Sequence, residues 1–188
     1  SKNALIIADM PFSSYDNPDD ALENAKSLID AGARMVKIEG GSEHEDVIKL
    51  LISNNINICG HLGLQPQLVI KSDDYRVQGR DESSAQRIID NSILLESLGV
   101  SALVLECIPR DLAKTVSQKL TIPTIGIGAG VDCDGQVLVS YDMLGITTGK
   151  QPRFVRNFLD NQNTISDAVE SFVAEVKGET FPSQIESY

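Results

Sequence analysis

Residues Arg34–Gly41 read RMVKIEGG. Side chains of a strand alternate between its two faces, so Val36 and Ile38 share one face and Lys37 and Glu39 the other. The apolar face asks for a core. The charged face is trivial if it meets water, and needs a function if it looks into an enclosed space. The choice depends on the sheet to which this strand belongs.

The chain repeats the same unit, a short apolar run followed by a helical pattern. The first run is Ala4–Ala8, ended by Asp9. Asn17 and Pro18 then form an N-cap and N1 pair, Asp19 and Asp20 favour the positive end of the helix, and Gly32 closes it. The second run is Met35–Ile38, followed by a helix over about Glu43–Ser53. The third is Ile56–Cys59, ended by Gly60 and His61. A long polar connection follows, HLGLQPQLVIKSDDYRVQGRDES, whose length predicts a functional loop. A helix is expected over about Ser83–Leu98, with Gly99 as its stop. The fourth run is Ala102–Leu105, ended by Glu106, with a helix over about Pro109–Leu120. The fifth is Pro123–Ile127 and the sixth Val137–Val139. Helical segments close the chain. In the last, Thr164 is the expected N-cap, Val169, Phe172, Val173 and Val176 the apolar stripe, and Gly178 the stop.

Six strand–helix units imply an α/β domain with a parallel sheet covered on both faces, and the 188 residues are enough for one domain. An open doubly wound sheet and a (β/α)8 TIM barrel compete. A barrel takes about 250 residues. This chain falls short by about two units of roughly 30 residues each, and it starts almost directly on a strand without an initiator Met. The expectation is a single domain over residues 1–188 that supplies the last six βα units of a barrel plus C-terminal helices. The N-terminus is expected to be processed, or the chain to be part of something longer.

The formal net charge is −11 with no basic run, which argues against nucleic acid as a partner. An anionic substrate would then need local cations, so each Lys, Arg or His at a strand end carries weight. There is no apolar run near 18 residues and no signal-peptide pattern. Cys59, Cys107 and Cys133 are far apart and without a CxxC, as expected of buried, reduced thiols in a cytoplasmic protein.

Charged residues cluster at the C-terminal ends of the runs: Asp9, then Lys37 and Glu39, then His61, then Glu106. Both parallel architectures place active sites at that edge. Asp9 is a hard oxygen donor suited to Mg²⁺. Lys37 is a compact cation able to meet a carboxylate or a developing oxyanion. His61 can donate to an anionic substrate. Glu106 sits between Leu105 and Cys107, where burial would make it a stronger base. His44, in an acidic helix start, reads as a solvated residue. The glycines of GIGAG (Gly126–Gly130) follow a strand but miss the dinucleotide spacing, so a tight strand exit with its backbone close to a ligand is expected there.

Eight strings carry a resemblance: ADMPF (8–12), MVKIEGG (35–41), CGHLGLQPQ (59–67), YRVQGR (75–80), LVLECIP (103–109), IPTIGIGAG (122–130), DGQVLVSYDMLGIT (134–147) and FVRNFL (154–159). In this order they resemble the ketopantoate hydroxymethyltransferase family over nearly the whole chain. The resemblance implies a (β/α)8 barrel that uses Mg²⁺, with 5,10-methylenetetrahydrofolate as co-substrate. Such enzymes transfer a hydroxymethyl group to 3-methyl-2-oxobutanoate, giving 2-dehydropantoate for pantothenate and coenzyme A synthesis, and typically form homodecamers. Carried over by motif, Asp9 is a metal ligand and Glu39 lies at the metal. Lys37 contacts the keto acid, His61 lies near the substrate and Glu106 is the base. Arg80 is implied either in a folate-side or lid role or in a structural salt bridge.

The resemblance also implies two earlier strand–helix units carrying an Asp–Ser pair, the Asp being a second metal ligand. This chain starts after them, so its site is expected to be incomplete and the isolated chain weakly active. Two other readings stay open. One is another Mg²⁺-dependent barrel lyase acting on α-keto acids, which would carry a reactive Cys loop. The other is a catalytically incomplete fragment of the transferase.

Overall fold

The computed structural model of the protein describes residues 3–69 and 75–188. Six parallel strands form one sheet: β1 (Ile7–Asp9), β2 (Met35–Glu39), β3 (Ile58–Gly63), β4 (Ala102–Glu106), β5 (Thr124–Ile127) and β6 (Gly135–Gln136). Their spatial order is their chain order, β1-β2-β3-β4-β5-β6. That order decides between the two architectures. A doubly wound sheet reverses direction and sends helices to both faces. Here every right-handed crossover advances the same way, so the helices cover one face only. The other face curls inward as the lumen of part of a (β/α)8 barrel.

The helices are α1 (Pro18–Asp30), α2 (Glu45–Ser53), α3 (Glu82–Ser97), α4 (Arg110–Lys119), a single turn α5 (Ser140–Met143) and α6 (Ile165–Lys177). Local chemistry sets their ends. The Asn17 side chain accepts from Asp20 N–H, Asp81 caps α3 through Ser84 N–H, and Thr164 and Asp167 form a reciprocal capping box on α6.

Alternation along the strands divides the core in two. Val36, Ile38, Ile58, Leu103 and Leu105 pack outward against the helices. Met35, Cys59, Ala102, Val104 and Ile127 pack inward. A smaller cluster of Met143, Phe158, Ala168 and Phe181 sits under α6.

Several expected boundaries shift. Ala4–Ile6 precede the first strand rather than forming it. The third strand does not end at Gly60 and His61 but continues to Gly63, because β4 supplies partners for every residue from Cys59 to Gly63. The sixth strand is Gly135–Gln136, not Val137–Val139; its ladder to β5 ends once Val137 N–H has reached the Gly126 carbonyl. Val169 and Val173 of the α6 stripe are 40% and 41% exposed, so the helix packs through Ala168, Phe172 and Val176 instead. Within the long connection after His61, residues 70–74 lie outside the described residues.

Candidate active site

Register brings the charged residues together. Asp9 pairs in register with Lys37, Glu39 with His61, and Gly63 with Glu106. All of these positions face the lumen, near the C-terminal edge of the sheet. They line a cavity of about 650 Å³ with an apolar floor of Ile7, Cys59, Val104 and Ile125. The five residues singled out in the sequence, Asp9, Lys37, Glu39, His61 and Glu106, all line this one cavity.

Lys37 is the hub. Its Nζ lies 2.9 Å from Asp9 Oδ1, 3.2 Å from His61 Nδ1 and 3.7 Å from Glu39 Oε1. An ammonium can only donate, so His61 accepts at Nδ1 and its ring proton sits on Nε2. That nitrogen lies 3.2 Å from Glu106 Oε2. The two are not aligned as a hydrogen bond, and the buried Nε2 has no partner among the described residues. Glu39 is buried and accepts the Gln67 backbone N–H at 3.0 Å; Gln67 is itself held by Met10 and Tyr15.

Glu106, 5% exposed, ends β4 in a heavily constrained turn. Its carbonyl accepts Leu64 N–H at 2.8 Å. Gly63, with φ +95°, passes so close that a Cβ there would fall 2.1 Å from the same oxygen. Cys107 follows with φ +48°, its N–H donating to Ile127 and its carbonyl accepting Gln78 N–H. The Glu106 Oε1 accepts the Tyr75 hydroxyl at 3.1 Å. Burial and the negative charge of Glu106 both raise the Tyr75 pKa, so this phenol keeps its proton.

Tyr75 and Gln67 are site residues that residue-by-residue reading missed. The only signal was the length of the connection on which both lie. Two other expectations change, one of them in part. His44 is half-buried and edge-on to Tyr15 at 5.0 Å, because its helix begins where Gly40 lets the chain turn under it. The GIGAG segment is a tight strand exit as expected, but it is Phe154 that fills the space beside Gly128. Arg80 is exposed and forms no ion pair among the described residues; its charge acts on Tyr188.

Among the described residues no three or more His, Cys, Asp or Glu side chains converge as a metal cage. The site holds a pair of hard oxygen donors, Asp9 (63% exposed) and buried Glu39, with Lys37 between them. A cation of the Mg²⁺ type keeps several waters and takes one or two protein carboxylates plus substrate oxygens, so this donor set fits it. The three thiols are kept protonated: burial pushes Cys59 and Cys133 up to about 11 and Cys107 to about 12. A reactive thiolate, which the lyase reading requires, is not among them.

Residues 1–184 match the sequence model of ketopantoate hydroxymethyltransferase. The chain belongs to that family. It is 57% identical to the 3-methyl-2-oxobutanoate hydroxymethyltransferase of Ruthia magnifica subsp. Calyptogena magnifica, over all of this chain and 72% of that protein. The enzyme of the same name from Marinobacter nauticus is 50% identical over 98% of this chain and 70% of its own length. Among solved structures, a protein from Burkholderia cenocepacia J2315 assigned as a phosphonomutase superposes with a TM-score of 0.50 over 66% of this chain and 55% of that one. At 13% identity that likeness speaks to the fold alone. No helix among the described residues is long and apolar enough to cross a membrane.

Proposed function

We propose that this family member transfers a hydroxymethyl group from 5,10-methylenetetrahydrofolate to 3-methyl-2-oxobutanoate, giving 2-dehydropantoate. The relatives' shared name supports the acceptor and the group transferred. The observation that carries the mechanism is the charge balance of the cavity. One ammonium, Lys37, faces three carboxylates, Asp9, Glu39 and Glu106. Such a site repels a keto-acid anion unless a further cation joins it. Asp9, with Glu39 beneath it, would hold Mg²⁺, which would supply Lewis acidity to the keto-acid oxygens and offset the excess negative charge.

The chain's own groups then have distinct tasks. The Lys37 ammonium faces negative charge as it develops on the keto oxygen. Glu106, buried and aimed into the same cavity, removes the C3 proton through Oε2. His61 presents its Nε2–H beside that oxygen and keeps Lys37 oriented through Nδ1. The apolar floor receives the branched side chain of the substrate and excludes water from the carbanion. The C3 carbon then bonds to the one-carbon unit of the folate and water supplies the oxygen of the new hydroxymethyl group, while the methylene C–N bonds break and tetrahydrofolate leaves with the protons on its nitrogens.

Glu106→Gln tests the assignment by proton NMR of C3 exchange in D₂O. Exchange should fall about 10³-fold, with keto-acid and Mg²⁺ binding by calorimetry retained. Exchange at the wild-type rate would remove Glu106 as the base.

A further inference from the structure

We propose that Tyr75 is a positioning residue for Glu106, its hydroxyl fixing which carboxylate oxygen receives the proton. This rests on Glu106 being the base. A free carboxylate presents either oxygen and rotates between them. Here Oε1 accepts the Tyr75 hydroxyl at 3.1 Å, while Oε2 lies 3.2 Å from His61 Nε2 on the cavity side. The phenol thus occupies one oxygen and leaves the other as the acceptor, turned toward the place where the substrate must lie. Preorganisation of this kind removes a rotational search from the proton-transfer step.

Two features make this more than a chance contact. The stretch after Tyr75 is pinned beside the base, since Gln78 N–H donates to the Cys107 carbonyl at 2.8 Å, one residue beyond Glu106. Cys107 holds a left-handed backbone there, φ +48°, so the turn that receives the loop is also the turn that aims Glu106. The Tyr75 side chain also contributes little to the core. The residue as a whole is 44% exposed, so core packing does not account for its placement.

Tyr75→Phe removes the hydroxyl and keeps the ring. In the intact protein, saturated with keto acid, C3 exchange should slow about tenfold, with keto-acid affinity changed by no more than about twofold. The melting temperature should stay at the wild-type value. Adding Tyr75→Phe to Glu106→Gln should slow the residual exchange no further, because the hydroxyl acts only through that carboxylate. Wild-type exchange in Tyr75→Phe overturns the proposal. So does a slowing matched by an equal loss of keto-acid affinity, which makes Tyr75 a substrate contact, or by a drop in melting temperature, which makes it structural. So does a tenfold loss that persists in the double variant. If Glu106→Gln alone leaves exchange intact, the base assignment itself has failed, and that outcome is separate from the others.

Discussion

Two ionic clusters in this molecule are built on opposite principles. At the C-terminal end, Arg156 donates from Nε to Glu186 Oε1 at 2.6 Å, from its second terminal nitrogen to the other Glu186 oxygen, and from its first to Glu175. Its guanidinium lies over Phe158 and Phe181, 5.1 and 5.0 Å from the ring centres. Donors are used there in the planar geometry that suits Arg, and both carboxylates are held by the same guanidinium. In the lumen, Lys37 is shared among Asp9, His61 and Glu39 at distances of 2.9 to 3.7 Å, negative charge is in excess, and His61 Nε2, though beside Glu106, makes no hydrogen bond among the described residues. A cluster whose groups are tied by well-aligned hydrogen bonds holds structure. An under-satisfied one costs stability and awaits a ligand.

Lys37→Met should show the largest effect of this contrast. The transfer rate should fall about 100-fold with the loss of a preorganised cation at the developing oxyanion. Three carboxylates would then face one another without an ammonium. Added Mg²⁺ should therefore raise the melting temperature of the variant by more than it raises that of the wild type. An equal or smaller rise would remove Asp9 and Glu39 as the cation's place.

Arg156→Met probes the other cluster. It should cost about 2 kcal/mol of stability by denaturant unfolding, with C3 exchange per folded molecule unchanged. Its pH dependence sharpens the test. Burial pushes Glu186 up, but hydrogen bonds from Arg156 and Ser183 outweigh it and hold the carboxyl below its ordinary 4.5. A depressed carboxylate stabilises the fold above its unfolded value and loses that contribution as pH falls through the folded value. Wild-type stability should therefore drop as pH falls below 4.5, and Arg156→Met should show a shallower drop over the same window. Equal slopes would mean that the pair does not hold the C-terminal segment.

The smallest effect belongs to a local device at the N-terminus of α6, whose other end carries Glu175. Thr164→Ala removes half of the capping box on α6 and should cost about 1 kcal/mol, with exchange untouched. A loss of exchange would connect α6 to the cavity through Leu138, which lines the cavity and packs against the cluster under α6.

Much of the site was legible because strand ends are easy to read. Asp9, Lys37, Glu39, His61 and Glu106 each fall at or near the end of an apolar run, and a parallel sheet collects such ends at one edge. Tyr75 and Gln67 were not legible. They reach the site from an irregular connection, where no periodicity reports the direction of a side chain. His44 was misjudged for a related reason: its acidic neighbours suggest solvent, but its burial depends on Tyr15, a contact across the fold.

Alternation within RMVKIEGG was enough to separate an apolar face from a charged one, because a two-residue period is a local property of the backbone. Helix caps were likewise local and readable. The sequence could not say whether Lys37 and Glu39 look into solvent or into a lumen, nor that His61 belongs inside β3. Strand order decided both. Sequential pairing puts every helix on one face, and register then sets Lys37 beside Asp9 and Glu39 beside His61. Pairing between strands is a long-range choice, made by burial of the whole sheet, and no single segment contains it.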